Sequence, residues 1–350
     1  MKTPHILVMR FSALGDVAMT VPVIYQLARQ YPDLRITVLS QPFARPFFDT
    51  MAPRVGFMDA DIKHEYHGIK GLNKLYRRLT AKNFTAIADL HGVLRTQYLR
   101  TRFSIDQFRV EHINKHRREK HLLIMHDHKV MRQLPTSFEN YAEVFAKLGY
   151  PVRLGDFKSI FPEGGGDLSL LPEDFQTKEA GQHWIGFAPF AAHKGKMLPL
   201  EKTVKAIEQT VKRHPSCRVF LFGSKREASQ IPQALQDMPQ VTLVSQYLLG
   251  MDQELILMSH LDVMVTMDSA NMHLASLTAT PVISVWGATH PYAGFMGWHQ
   301  REDIAVQASL DCRPCCIYGE RKCFRGDYEC LNLIQPDDIV KRIETVISGK

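Results

Sequence analysis

Short apolar runs separated by helical patterns fill the first half of the chain. The runs rich in β-forming residues cover residues 5–10, 34–40, 54–60 and 84–90. Between them, residues 21–32 and 71–82 place apolar side chains at the spacing of one helix face. Strands that alternate with helices pair in parallel, so this half predicts a parallel sheet covered by helices.

The same alternation restarts after residues 158–174, a segment whose Gly, Pro, Asp and Ser content is typical of a linker. Five further apolar runs follow, at residues 183–190, 217–224, 240–245, 261–268 and 280–288. The pattern predicts two doubly wound α/β domains, Rossmann-like in connectivity, that face each other across a cleft. We place the first domain at residues 1–165 and the second at residues 176–335, and expect the last helix, residues 336–350, to cross back to the first domain.

Composition narrows the class of protein without changing this architecture. The 350 residues are 45% hydrophobic and 23% charged, which is enough apolar sequence for two buried cores. No apolar run approaches the roughly 20 residues that span a bilayer, and the N-terminus lacks the pattern of a signal peptide. The sequence therefore predicts a globular cytoplasmic protein.

The charge is unevenly distributed along the chain. Lysine and arginine number 43 against 36 acidic residues, a net charge of +7, and basic residues crowd between Lys63 and Arg132. Such a surface favours contact with phosphate, an anionic sugar or an anionic lipid surface, although an ordinary solvated face is an equally open interpretation. Nucleic acid is not expected as a partner because no helix-turn-helix, zinc-finger or RNA-recognition signature accompanies the charge.

An acidic residue, Asp16, lies where the first strand gives way to a helix. Gly15 before it allows a ligand to approach the backbone closely. Ligands bind at this edge of an open α/β sheet, which favours a binding or catalytic role for Asp16. An acid in the first turn of a helix also stabilises the helix dipole, so helix capping stays open as the alternative.

Two stretches of the second half carry a comparable signal. Asp268 and Ser269 end an apolar strand and precede a helix of small residues, whose first N–H groups would bind a diphosphate. Lys194 and Lys196 follow the first strand of this half and would neutralise a phosphate. The alternatives are a capping pair with His273 buried in the core, and lysines that are only solvated.

Five of the six cysteines lie between residues 312 and 330. Cys312 and Cys315 have the spacing of a zinc knuckle, and Cys323 and Cys330 could complete four thiolates. Clustered cysteines in a cytosolic protein favour a metal or redox role over permanent disulfides. We therefore treat the four as a candidate structural zinc site or thiol cluster, and assign them no part in catalysis.

Five ordered motifs resemble one family over nearly the whole chain. They occupy residues 10–39, 87–96, 194–199, 221–228 and 267–291, and include RFSALGD, KGKMLP and MDSANMHLAS. Together they are similar to the lipopolysaccharide heptosyltransferases, glycosyltransferase family 9. The resemblance implies a GT-B fold of two Rossmann-like domains and transfer of a heptose from ADP-heptose to the inner core of lipopolysaccharide, with inversion and without a metal or other cofactor.

The resemblance also implies roles for individual residues. Asp16 matches the catalytic residue, which the chemistry assigns as general base, and Lys196 matches the phosphate-binding lysine. The remaining donor contacts are expected at Asp268, Ser269, Ala270, Asn271, His273 and Glu227, the last toward the ribose. We expect acceptor contacts at Ser12, Gly15, His91, Arg95, Arg77, Arg78, Arg117, Arg118 and Lys120.

An anionic glycolipid acceptor would place the enzyme at the inner leaflet, as a peripheral protein on the cytoplasmic face of the inner membrane. No obligate protein partner is inferred. Two competing functions stay open, a nucleotide-sugar epimerase and a non-catalytic sensor of a nucleotide sugar. An epimerase would need a glycine-rich dinucleotide fingerprint, which is absent after the first strand, whereas a sensor would bind nucleotide without transferring sugar.

Overall fold

The computed structural model describes residues 3–51, 53–247 and 250–349. These residues form two compact units, described separately below. The first unit consists of residues 3–51, 53–116 and 135–160. The second unit consists of residues 117–134, 161–247 and 250–349.

The described residues of the first unit contain one sheet of five parallel strands, in the order β3-β2-β1-β4-β5. The strands are β1 His5–Met9, β2 Arg35–Ser40, β3 Val55–Asp59, β4 Ala86–Asp89 and β5 Arg109–His112. The helices of this unit are α1 Leu14–Ala18, α2 Thr20–Gln30, α3 Gly68–Thr80, α4 Leu94–Ile105 and α6 Ser137–Lys147. Short 3-10 turns cover Pro42–Phe47 and Asp49–Met51.

The periodicity of the sequence explains how these elements pack. All five residues of β1 are buried, which requires cover on both faces of the sheet. In α3, Leu72, Leu75 and Leu79 repeat on one helix face and are buried, while the opposite face carries lysine and arginine. Leu75 and Leu79 join Leu7 of β1 in one apolar cluster, so the predicted helix is fixed by its contact with the sheet.

The described residues of the second unit contain a sheet of six parallel strands, in the order β11-β10-β9-β6-β7-β8. The strands are β6 Trp184–Ala188, β7 Arg218–Leu221, β8 Val241–Leu243, β9 Val263–Met267, β10 Val282–Trp286 and β11 Val306–Gln307. The helices are α5 Arg117–Leu123, α7 Leu200–Arg213, α8 Lys225–Ala228, α9 Gln233–Gln236, α10 Met251–Met258, α11 Ala270–Leu277, α12 Glu329–Asn332 and α13 Pro336–Ile347. Short 3-10 turns cover Leu168–Leu170, Glu173–Phe175, Lys194–Lys196, Val244–Gln246 and Pro291–Ala293.

The unit boundaries differ from the predicted domain boundaries in three places. Residues 161–165, predicted as the end of the first domain, belong to the second unit. Residues 117–134, predicted as part of the first domain, belong to the second unit, where Leu123 and Leu134 pack with Ala293 and Ile317. The last helix, α13, was expected to cross back to the first domain. Instead it packs against α7 of the second unit, because its buried residue Ile343 joins the core beneath the second sheet.

Both sheets have a topological switch point, where neighbouring strands carry crossover connections in opposite directions. In the first unit this point lies between β1 and β4, and in the second unit between β6 and β9. Ligands bind at the carboxyl ends of the strands at such points. No helix within residues 3–51, 53–247 and 250–349 combines the length and the apolar character needed to cross a membrane.

Candidate active site

Asp16 lies in the first turn of α1, the helix that follows β1. Its Oδ2 atom accepts a hydrogen bond from the N–H of Ala13 at 3.1 Å, so the carboxylate caps the helix as the alternative interpretation expected. The side chain nevertheless remains 31% exposed. Capping and access to a substrate are therefore compatible at this position.

Arg10 holds the same carboxylate, and sequence reasoning missed it. The Arg10 guanidinium lies 2.7 Å from Asp16 Oδ2 and also donates to the carbonyl of Leu90 at 2.7 Å. Its side chain is only 9% exposed. This ion pair holds the carboxylate of Asp16 in one position, which a general base requires. The available signal was a charged residue directly after a fully apolar strand.

Ser12 and His91 lie beside the turn that carries Asp16. The Ser12 hydroxyl lies 3.4 Å from Nε2 of His91, which follows β4. Burial, reinforced by the positive charge of Arg10, lowers the pKa of His91 to about 3. His91 is therefore neutral near neutral pH and can act as a hydrogen-bonding group but not as a cation. Gly15 is buried within α1.

In the second unit, three neighbouring strands bring three polar side chains together, two of them predicted from the sequence and one not. Lys196 follows β6, Asp268 follows β9, and Thr289 lies beyond β10. Lys196 Nζ lies 2.9 Å from Asp268 Oδ2, and Thr289 Oγ1 donates to the same oxygen at 2.8 Å. The Asp268 side chain is 4% exposed and that of Lys196 is 15% exposed. The structure thus brings Lys196 and Asp268, both predicted as donor contacts, together in one ion pair, and adds Thr289 to it.

The N-terminus of α11 adjoins this ion pair. Ser269 precedes the helix but makes no capping bond with its side chain; its hydroxyl lies 3.2 Å from that of Thr266 instead. The first N–H groups of a helix have no acceptor within the helix, so those of Ala270 and Asn271 suit an anion. His273 is buried inside α11, where the alternative interpretation placed it.

The two lysines of the loop after β6 have different surroundings. Lys194 is exposed, and its ammonium lies 5.1 Å from the centre of the Tyr328 ring. It contributes to the wall of a cavity of about 380 Å³, together with Phe190 and Leu198. Lys196 instead pairs with Asp268. Of the two lysines, only Lys196 therefore forms the ion pair with Asp268.

Glu227 has a structural task of its own. Its Oε2 atom accepts from the N–H and the hydroxyl of Ser224, both at 2.8 Å, in a capping box at the start of α8. The predicted contact of Glu227 with a ribose would have to be made while the carboxylate also holds this cap.

The basic residues assigned to the acceptor are divided between the units. Arg77, Arg78 and Arg95 are exposed in the first unit, where Arg78 donates to the carbonyl of Asp59 and to the hydroxyl of Tyr66. Arg117, Arg118 and Lys120 belong to the second unit with α5. Arg117 and Arg118 are exposed, whereas Lys120 lies over the rings of Phe295 and Tyr318. The sequence analysis placed all these basic residues in the first domain. That placement was wrong for Arg117, Arg118 and Lys120, which belong to the second unit.

All six cysteines are free thiols, and four of them line one small cavity beside Arg313. These are Cys312, Cys315, Cys323 and Cys330, the four residues of the zinc hypothesis. Burial raises the pKa of Cys330 to about 11, which favours the thiol. Within the described part of the chain, no three His, Cys, Asp or Glu side chains are arranged to hold a metal ion. The structure supports a thiol cluster and gives the zinc hypothesis no support.

Each of the two Rossmann-like units carries polar side chains at the switch point of its sheet, an arrangement that fits an enzyme of the GT-B fold. The sequence pattern of glycosyltransferase family 9 (heptosyltransferase) matches residues 72–322. The chain therefore belongs to glycosyltransferase family 9.

Full-length relatives agree with this assignment. Lipopolysaccharide heptosyltransferase 1 of Pseudomonas aeruginosa is 24% identical over 371 aligned positions, which cover 98% of each chain. A family 9 glycosyltransferase from Veillonella parvula superposes with a TM-score of 0.74 at 17% identity, covering 100% of this chain and 99% of that one. The E. coli heptosyltransferase WaaC, solved with ADP-2-deoxy-2-fluoro heptose, gives 0.65 at 19% identity and covers 97% and 99%. These solved structures share the fold.

Proposed function

We propose that this chain is an inverting glycosyltransferase that moves a heptose, or a closely similar sugar, from ADP-heptose to the inner core of lipopolysaccharide or lipooligosaccharide. The observation that carries the proposal is Asp16, a partly exposed carboxylate held by Arg10 at the switch point of the first unit. Membership of family 9 and the relative in P. aeruginosa supply the class of reaction and of acceptor.

The reaction needs a base at the attacking oxygen. An acceptor hydroxyl is a poor nucleophile, and a carboxylate within about 3 Å can take its proton as the new bond forms. In the proposed step, the acceptor oxygen attacks the anomeric carbon of the heptose from the side opposite the leaving group. The bond between that carbon and the phosphate oxygen of ADP breaks, and the proton passes to Asp16. The anomeric configuration is therefore inverted.

The leaving group needs positive charge. As the bond breaks, negative charge grows on the ADP phosphates, and we assign its stabilisation to Lys196 and the N–H groups that start α11. Asp268 would accept hydrogen bonds from the sugar hydroxyls, with Ser269, Ala270, Asn271 and His273 beside it. Glu227 would contact the ribose. WaaC bound to an ADP-sugar analogue supports an ADP-linked donor for this chain.

A transfer assay tests this function. We expect the purified chain, supplied with a panel of nucleotide sugars and a truncated inner-core acceptor, to transfer heptose from ADP-heptose, with product detected by mass spectrometry. Because the proposal assigns no step to a divalent ion, the rate should survive EDTA. Nucleotide binding without product would indicate a sensor, and epimerisation of the donor without acceptor would indicate an epimerase.

The acceptor suggests where the enzyme works. An inner-core acceptor carries phosphates and carboxylates on a lipid anchor, so we propose a peripheral position at the cytoplasmic face of the inner membrane. Exposed basic side chains would supply the attraction, each contributing about 1 kcal/mol near an anionic surface. The exposed candidates chosen for the test are Arg77 and Arg95 in the first unit and Arg117 and Arg118 in the second. Arg78 is also exposed, but it donates to the carbonyl of Asp59 and to the hydroxyl of Tyr66.

Charge reversal tests each candidate pair separately. We expect R117E/R118E to raise the KM for the acceptor and to weaken binding to anionic vesicles by about tenfold at low salt, since two attractions become repulsions. R77E/R95E makes the same test in the first unit. ADP affinity should not change in either variant, because these residues lie outside the proposed donor site.

The matched control is K205E/K212E, which reverses two exposed charges on α7 of the second unit. This variant has the same net charge as R117E/R118E. If the control weakens vesicle binding as much as both test pairs do, the attraction is a property of net charge alone, and the assignment of these arginines to acceptor recruitment is wrong.

A further inference from the structure

The cysteine-rich segment, residues 312–330, lies against the stem of Lys196. Gly319 in this segment has a φ of +82°, and a Cβ atom built there would lie 2.6 Å from Cγ and 2.9 Å from Cδ of Lys196. At these distances, a side chain at position 319 would require Lys196 to move. The bare backbone of Gly319 therefore supports the aliphatic part of Lys196 directly.

Glycines let two further segments close around the same place. The carbonyl of Gly195 accepts from the N–H of Ala288 at 2.8 Å. A Cβ at Gly287 would lie 2.4 Å from that carbonyl oxygen. The loop before Lys196, the end of β10 and the cysteine-rich segment thus meet at one point, and the segment is part of the wall behind the lysine.

A second contact runs through Arg313, which is 5% exposed. Its guanidinium donates to the carbonyls of Gly287, Ala308, Trp286 and Thr289 and to the side-chain oxygen of Gln307. A planar guanidinium offers donors in a fixed geometry, so these bonds determine the course of the chain beyond β10. That part of the chain carries Thr289.

Thr289 completes the connection to the ion pair. It is fully buried, and its hydroxyl donates to Asp268 Oδ2 at 2.8 Å. The same oxygen lies 2.9 Å from Lys196 Nζ. A charge-assisted hydrogen bond of this kind fixes the orientation of the carboxylate and, through it, the position of the ammonium.

We propose that the cysteine-rich segment positions the donor-phosphate lysine at both ends: Gly319 supports the stem of Lys196, and Arg313 with Thr289 fixes the carboxylate that holds its ammonium. This inference rests on the proposed role of Lys196 in binding the donor phosphates. Arg313, Thr289 and Gly319 are positioning residues that act through Lys196 and Asp268. A lysine already fixed in its bound orientation loses less conformational freedom when a phosphate binds.

A pair of glycine variants tests the contact with the stem. Gly326, in the same segment, has a φ of +81°, but a Cβ built there meets nothing within 4 Å. G319A and G326A therefore impose the same backbone strain, and only G319A displaces Lys196. We expect similar decreases in Tm for both variants, and a rise in the Kd for ADP of about tenfold for G319A alone, measured by calorimetry. Equal ADP affinity in G319A and G326A would overturn the contact.

A second pair tests the contact with the ammonium. T289V removes the hydroxyl at nearly constant volume, whereas T289S keeps it. We expect T289V to raise the Kd for ADP by about tenfold and T289S to restore the affinity of the unmodified chain. T289V should have no further effect in a K196A background, since a positioning residue acts only through the group it positions.

The background variant also separates the two proposals. If K196A leaves ADP affinity unchanged, the donor role of Lys196 is wrong. If K196A weakens ADP binding but T289V and G319A do not, the donor role stands and the positioning by the cysteine-rich segment is wrong. If T289V weakens ADP binding equally with and without Lys196, Thr289 acts by another route and the inference is likewise overturned.

Discussion

Replacing Asp16 by asparagine is expected to lower the rate of sugar transfer by a factor of about 10² to 10⁴, the usual contribution of a positioned general base. Asparagine has nearly the size of aspartate, and its side-chain oxygen can still accept from the N–H of Ala13 and from Arg10. The turn after β1 should therefore survive while the base is lost. The measurement is kcat for transfer, with the Kd for ADP as a second readout that should not change.

Glu139 provides the matched control for Asp16. It also occupies the third position of a helix in the first unit, and its Oε2 atom accepts from the N–H of Thr136 at 2.7 Å. E139Q removes the acid of a comparable helix cap to which the proposed mechanism gives no part in the reaction, so the rate should stay near that of the unmodified chain. If D16N also kept the normal rate, Asp16 would be a cap only, and the base would have to be sought elsewhere.

The sequence predicted most of the strands, including the edge strands β3 and β8, because each is a short apolar run bounded by polar residues. Nine predicted strands, β1 to β4 and β6 to β10, are present in the structure. The two strands that were not predicted, β5 and β11, lie at sheet edges. β5 reads Arg-Val-Glu-His and none of its residues is buried, while β11 has two residues, so neither produces a hydrophobic signal.

Part of the site was predictable because it lies in the segments after apolar strands, whose carboxyl ends are visible in the sequence. Asp16 and Lys196 lie in the segments that lead from a strand to a helix, and Asp268 directly follows β9. Arg10 also directly follows a strand, β1. Arg10 and Thr289 could not be assigned, because their roles depend on partners brought close by folding. Arg10 reaches the carbonyl of Leu90, 80 residues away, and Thr289 reaches Asp268, 21 residues away.

The segment of residues 117–134 illustrates a different failure of the sequence pattern. Its many lysines and arginines suggested a continuation of the basic first-domain surface. Its place in the second unit is determined instead by a few apolar side chains, Leu123 and Leu134, which pack with Ala293 and Ile317. The apolar positions are too widely spaced to form a recognisable pattern, and their partners lie more than 150 residues further along the chain. Charge composition alone therefore misplaced the segment.

Replacing Lys196 by alanine is expected to weaken ADP binding by about 10-fold to 100-fold, the effect of losing one charge-assisted contact to a phosphate. Transfer should suffer further, because negative charge on the leaving group is greatest in the transition state, and one missing contact there lowers kcat by about 10² to 10³. Both effects are measured on the same preparation, ADP affinity by calorimetry and kcat with saturating donor.

K194A is the matched control, since Lys194 lies two residues away and contacts the Tyr328 ring rather than Asp268. It should bind ADP like the unmodified chain. K196A also leaves the buried carboxylate of Asp268 without its cation, which could by itself disturb the fold. The double variant K196A/D268N removes that unpaired charge, so a recovered Tm with ADP affinity still low would assign the loss to the phosphate contact. Only Lys196 lies at the switch point of the second sheet, beside Asp268. Equal ADP affinity in K194A and K196A would therefore show that the donor phosphates do not bind at the carboxyl end of β6.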